Sequence, residues 1–151
     1  MEKEKLLISS CLLGEFVKYN GHHNLLEDSI IEELKKRYTL FSVCPETEGG
    51  LPTPRFPNEI ISINPLKVIN KEQVDQTKEF VTGATKTLEI CKNEGISKAI
   101  LKANSPSCGN KTIYDGTFSS RRIKGSGVTA DMLIKNNIEV YNEDELEKLI
   151  F

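Results

Sequence analysis

Apolar positions along the chain follow two rhythms. LLISS (6–10), TLFSV (39–43), KAILK (98–102) and IEVY (138–141) are short runs bounded by polar or turn residues, too brief for helices, and they predict buried strands. The segments between them space their apolar residues three and four apart. LEDSIIEELKKR (26–37) sets Ile30, Ile31 and Leu34 behind a start signal at Asp28 or Ser29, which predicts a short helix. Residues 73–93 predict a long helix with Gly95 just past its end, and at about 100° per residue Val81, Ala84, Leu88 and Cys91 share one face of it. GSGVTADMLIKNN (125–137) predicts a helix opened by Ser126 or Gly127, and NEDELEKLI (142–150) a closing helix capped by Asn142. IISI (60–63) and LKVIN (66–70) predict short extended pieces forming a hairpin at the margin. Strands alternating with helices predict an α/β fold: one three-layer, Rossmann-like domain over residues 1–151, with a mostly parallel sheet and helices on both faces.

Ligands of such folds sit outside the carboxyl ends of the strands. Cys11, Cys44 and Cys108 each fall at, or within one loop of, the carboxyl end of a predicted core strand, so three remote positions are expected to converge on one edge. Cys91, in the apolar stripe of the long helix, is expected to be a small buried hydrophobe. The segment 44–57, with four prolines and two glycines, cannot stay regular for more than a few residues. A loop of that length inside a compact domain is usually functional.

At 151 residues the chain can bury a core without covalent staples, so the cysteines are open to other uses. Met1–Gly14 has too short an apolar run for a secretory or membrane segment, which predicts a cytoplasmic protein, where thiols stay reduced. Three thiolates brought together repel unless a cation holds them. Zinc on Cys11, Cys44, Cys108 and His22 or His23 is one solution. An iron–sulfur cluster with one iron left open is another. A redox cysteine pair is a third.

The motifs SSCLLG (9–14), SVCPETEGGLPTPR (42–55), GA (83–84), ILKANSPSCG (100–109), IYDGTF (113–118) and GSGVTA (125–130) together resemble the thiouracil desulfidase family, over nearly the whole chain and in the family's order. The resemblance implies a [4Fe–4S] cluster held by Cys11, Cys44 and Cys108 alone, with an open iron that binds the substrate's sulfur. It implies catalytic roles for Glu46 and Ser105, and a non-redox desulfuration of thiouracil or 4-thiouridine monophosphate to the oxo compound with release of hydrosulfide. One departure stands out: where the family has an aspartate and glycines before a single histidine, this chain has Tyr19, Asn20, Gly21 and the pair His22–His23. The alternative to an enzyme is a zinc-stabilised nucleotide-binding module without activity.

With 20 basic against 22 acidic residues and a net charge of −2, no global field favours long nucleic acid or an anionic membrane. The expected partner is a small thiolated pyrimidine base or nucleotide, and no obligate protein partner is evident. A nucleotide needs an anion site. Arg121, Arg122 and Lys124 precede a glycine-flanked Ser126 at a helix start, an arrangement that can bind phosphate. Arg55 is a second cation, able to meet the phosphate or to hold Glu46. Tyr114, Asp115 and Phe118 are read as loop first and as a frame for a base second.

Overall fold

The computed structural model describes residues 3–14, 20 and 26–150. Four parallel strands form the central sheet: β1 (Glu4–Ser9), β2 (Tyr38–Val43), β5 (Lys98–Ile100) and β8 (Glu139–Tyr141), in the order β2-β1-β5-β8. Helices α1 (Asp28–Arg37) and α5 (Glu147–Ile150) cover one face, and α3 (Thr77–Glu94) and α4 (Val128–Lys135) the other. β1 shows why its apolar run is continuous: Leu6 and Ile8 pack with Leu34 and Leu149 on one side, Leu7 with Cys91, Ala130 and Leu133 on the other. A strand buried on both faces has no solvent side to mark with polar residues.

The remaining pieces stand at the sheet's carboxyl edge. After β2 comes one turn of helix, α2 (Pro45–Glu48), then the antiparallel hairpin β3 (Asn58–Ile63) and β4 (Leu66–Asn70). A second antiparallel hairpin, β6 (Thr112–Tyr114) and β7 (Arg122–Lys124), forms where the sequence predicts only loop. Ile60, Val68, Ile113, Phe80 and Val128 share a buried cluster that seats both hairpins against α3 and α4. Among the described residues no helix is long and apolar enough to cross a membrane.

Three expectations shift in detail. α3 begins at Thr77, not near Gln73, because Asn70 Oδ1 accepts the backbone N–H groups of Glu72 and Val74 and bends the chain there. Its buried face runs through Phe80, Ala84, Thr87 and Cys91, and Val81 is exposed. Asn142 caps the turn before α5, accepting the N–H of Asp144, and the helix itself starts only at Glu147.

Candidate active site

The chain leaves β1 for β2 on one side and reaches β5 on the other, so β1 and β5 flank the point where strand order reverses, the usual ligand crevice of an open parallel sheet. Cys11 sits in a 3-10 turn, Ser10–Leu13, directly after β1. Cys44 directly follows β2 and is the N-cap of α2. Cys108 lies in the loop after β5, in a turn that Ser105 ties: its Oγ accepts the N–H groups of Ser107 and Cys108, both at 3.1 Å.

The position of Cys44 and Glu46 depends on a close backbone approach. A Cβ added to Gly83 would lie 1.8 Å from the Pro45 carbonyl oxygen, and one added to Gly49 would lie 1.9 Å from that of Glu79. Only glycine at both sites lets α2 rest against α3 at this distance, and this is the physical content of the Gly83–Ala84 motif.

All three cysteines line one cavity of about 500 Å³, together with Glu46, Arg55 and Ser105, within the size range of small-ligand and cofactor sites. Cys11 and Cys108 are buried. Burial pushes the Cys108 thiol well above its ordinary pKa, the charge of Cys44 adds to the shift, a hydrogen bond from Ser9 opposes it, and the charges of Glu46 and Cys11 push it further up. Ser9 Oγ donates to Cys108 Sγ at 3.7 Å and accepts the N–H of Lys102 at 3.0 Å, fixing the sulfur from the β1 side. Cys91 packs in the core among Leu7, Ala99 and Leu133, where burial pushes its thiol up to about 11. It does not line the cavity.

Glu46 and Arg55 form an ion pair, Nε to Oε1 at 3.0 Å, with side chains 14% and 5% exposed. Arg55 Nη1 also donates to the Pro52 carbonyl and to Thr53 Oγ1. Of the two roles read for Arg55, the structure places it on Glu46.

The other basic candidates lie elsewhere. Arg121, Arg122 and Lys124 are exposed, and neither they nor Ser126 line the cavity. The opening of α4 is not a free anion cradle, because the N–H groups of Val128, Thr129 and Ala130 are donated to the Pro106 and Ser107 carbonyls of the cysteine loop. Gly127, not Ser126, is the N-cap. Cations that sequence reasoning missed stand at the cavity instead: Lys71 and Lys102. Glu59 was also missed. Its Oε1, in a side chain withdrawn from solvent, accepts the N–H groups of Gly116 and Phe118 and so pins the tip of the β6–β7 hairpin over β3, bringing Tyr114 and Phe118 to the cavity wall. Asp115 serves the turn, accepting from Thr117.

A single zinc ion draws its thiolates to within about 4 Å of one another. Among the described residues no three His, Cys, Asp or Glu side chains are grouped to hold a metal ion; His22 and His23 lie outside those residues. The donor set lining the cavity is three soft thiols, which fits an iron–sulfur cluster on chemical grounds.

A model of the 2-thiouracil desulfurase family matches residues 6–145. The chain belongs to that family. It is 41% identical over 152 residues to YbbK, an uncharacterized protein of Bacillus subtilis (strain 168), covering 96% of this chain and 99% of that one. Its fold superposes on the solved structure of TudS, a [4Fe–4S]-dependent thiouracil desulfidase, with a TM-score of 0.90 and 39% identity, covering 97% of this chain and 95% of the other. The family's three-layer parallel-sheet architecture is therefore the architecture of this chain.

Proposed function

We propose that this protein is a single-domain, cytoplasmic, iron–sulfur-dependent desulfidase that hydrolyses the C=S group of a small thiopyrimidine, thiouracil or 4-thiouridine monophosphate, to C=O with release of hydrosulfide. One observation carries the reading: Cys11, Cys44 and Cys108, from the ends of three strands, line a single cavity with Glu46, Arg55 and Ser105. Membership of the 2-thiouracil desulfurase family and the likeness to TudS support it. Cys11, Cys44 and Cys108 would hold a [4Fe–4S] cluster with one ligand fewer than the usual four, and when bound the cluster supplies a Lewis acid for the substrate's sulfur.

The remaining work falls to side chains. Water contributes the new C–O bond, the C–S bond breaks, and the ring keeps its oxidation level, so no electron donor is required. Glu46 takes the proton of the attacking water. Arg55 fixes its Oε1, while Oε2 carries no hydrogen bond among the described residues, which leaves lone pairs for a general base. That proton then passes to the departing sulfur, and the second proton of the water leaves to solvent as the adduct collapses to C=O, so that C=S and water give C=O, hydrosulfide and one proton. Ser105 has spent its acceptor sites on the N–H groups of Ser107 and Cys108 but keeps its own O–H proton, so it faces substrate as a donor.

The test is anaerobic reconstitution with iron and sulfide followed by 4-thiouridine monophosphate or thiouracil. The expected result is brown protein that releases the oxo product and hydrosulfide in equal amounts. Cys108→Ser is expected to lose both colour and turnover, and Cys91→Ala to keep both. Colourless protein carrying one zinc, or brown protein that leaves both substrates intact, would overturn the proposal.

A further inference from the structure

Among the described residues three cations line the cavity, and two are already neutralised. Arg55 is paired with Glu46 at 3.0 Å, and Lys102 with Glu143 at 2.7 Å while also donating to the Ala103 carbonyl. Lys71 is the exception: among the described residues its ammonium has no carboxylate within ion-pair distance and no hydrogen bond. Its backbone is nevertheless fixed, since its N–H donates to the Pro57 carbonyl at 3.0 Å, which holds it beside the start of β3.

Burial varies across the cavity lining. Cys108 and Cys11 are 5% and 9% exposed, Cys44, Tyr114 and Phe118 are half-buried, and Lys71 and Ser120 are exposed. From the most buried lining to the most exposed come two thiols, then the third thiol with the aromatic rings, then the lysine. A molecule that matches this order has a sulfur-bearing end, a flat ring and an anion. The two carboxylates among the described lining residues are engaged elsewhere: Glu46 is held by Arg55, and Glu59 is turned onto the N–H groups of Gly116 and Phe118.

We propose that Lys71 is the phosphate anchor of this site and selects a pyrimidine nucleotide over the free nucleoside or base. The inference rests on the desulfidase reading and narrows its substrate to a nucleoside monophosphate. An uncompensated ammonium beside a stiff backbone point recognises a phosphate as a point charge, and its contribution weakens as salt screens it.

The experiment compares binding of uridine monophosphate and uridine to the reconstituted protein by calorimetry, using wild type, Lys71→Ala, Lys71→Arg and the surface control Lys67→Ala. Wild type is expected to bind the monophosphate at least ~10-fold more tightly than uridine, a preference worth about 1.4 kcal/mol. Lys71→Ala is expected to bring that ratio close to one without changing uridine binding. Lys71→Arg is expected to retain most of the preference, Lys67→Ala all of it. A wild-type ratio near one, an equal loss in Lys67→Ala, or a Lys71→Ala ratio unchanged from wild type would overturn the assignment. Because the readout is binding of the oxo compound, it separates from the desulfidase reading: loaded protein that discriminates uridine monophosphate through Lys71 yet leaves thiopyrimidines intact sinks the chemistry and keeps the anchor.

Discussion

Glu46 and Glu145 are both carboxylates largely withdrawn from water, with side chains 14% and 10% exposed, and each touches a cation. Their surroundings differ in how much of the carboxylate is used. Glu145 is saturated: Oε1 accepts Asn110 Nδ2 at 2.9 Å and the Asn142 N–H at 3.2 Å, while Oε2 meets Lys111 Nζ at 3.1 Å and Lys148 Nζ at 3.0 Å. Asn110 also donates to the Val140 carbonyl and accepts from Asn142 Nδ2, so Glu145 is the knot that ties the loop after Cys108 to β8 and the closing helix. Among the described residues the Glu46 carboxylate has one partner, Arg55. A carboxylate whose lone pairs are all spent is scaffold, and one held at a single oxygen is aimed and still basic.

The largest effect that can break this contrast is on turnover. Glu46→Gln keeps the shape and an acceptor for Arg55 but cannot take a proton, so kcat is expected to fall roughly 10²–10⁴-fold, the usual worth of a positioned base. Cluster loading should stay near wild type, while thermal stability should fall because the amide leaves the buried Arg55 guanidinium without its counter-charge. Glu145→Gln should leave kcat unchanged. If the two variants lost turnover equally, the distinction between aimed and saturated carboxylates would fail as a guide to function here.

Such a distinction could not be read from the sequence, where both residues are single acidic letters in polar segments. What was legible follows from burial. The inner strand β1 shows as an uninterrupted apolar run because both of its faces are covered, the partly exposed edge strand β2 still shows as a mainly apolar one, and the three cysteines were legible because each lies at or beyond the end of such a segment. The β6–β7 hairpin was not: β7 is Arg-Ile-Lys with all three residues exposed, and three residues carry no alternation to read. Phe80 and Val81 are adjacent apolar residues on α3, and only the packing of Phe80 under the hairpins decides which one faces inward. Lys71 reaches the cavity in the turn just after β4, and the placement of the β3–β4 hairpin over the sheet edge is a tertiary fact with no local signature. The run Arg121-Arg122-Ile123-Lys124 misled for the opposite reason: its letters suit an anion, but the helix N–H groups behind it are already donated to the Pro106 and Ser107 carbonyls.

A smaller effect, on stability, tests the other half of the contrast. Burial acts to raise the Glu145 pKa, but hydrogen bonds from Asn110, Lys148 and Lys111 and from the Asn142 backbone outweigh it, and the carboxyl is held down from the ordinary 4.5 to about 2. A depressed carboxyl stabilises the fold above its unfolded pKa, and the stabilisation drains away as pH falls through the folded value. The shift corresponds to about 3 kcal/mol at neutral pH. Chemical denaturation at pH 7 should therefore find Glu145→Gln less stable than wild type by up to that amount. The gap should narrow from about pH 5 downward and close near pH 2. A gap that persisted at pH 2 would mean that the amide fails on shape, not on charge.

The smallest expected effect concerns how finely Glu46 is aimed. Arg55 grips the carboxylate through Nε while Nη1 holds the Pro52 carbonyl and Thr53 Oγ1, so one planar group locks the proline loop and the base in a fixed relation. Lysine keeps the charge but not the fork; it can meet Glu46 or the loop, not both in the same plane. Arg55→Lys is therefore expected to retain the cluster and the fold and to lower kcat about tenfold, near 1.4 kcal/mol of barrier, with little change in KM. Arg55→Ala should cost more, because it leaves Glu46 without its ion-pair partner. A lysine variant with full activity would show that charge alone positions the base, and Glu46 would then differ from Glu145 only in the number of its partners and not in the rigidity of the one it has.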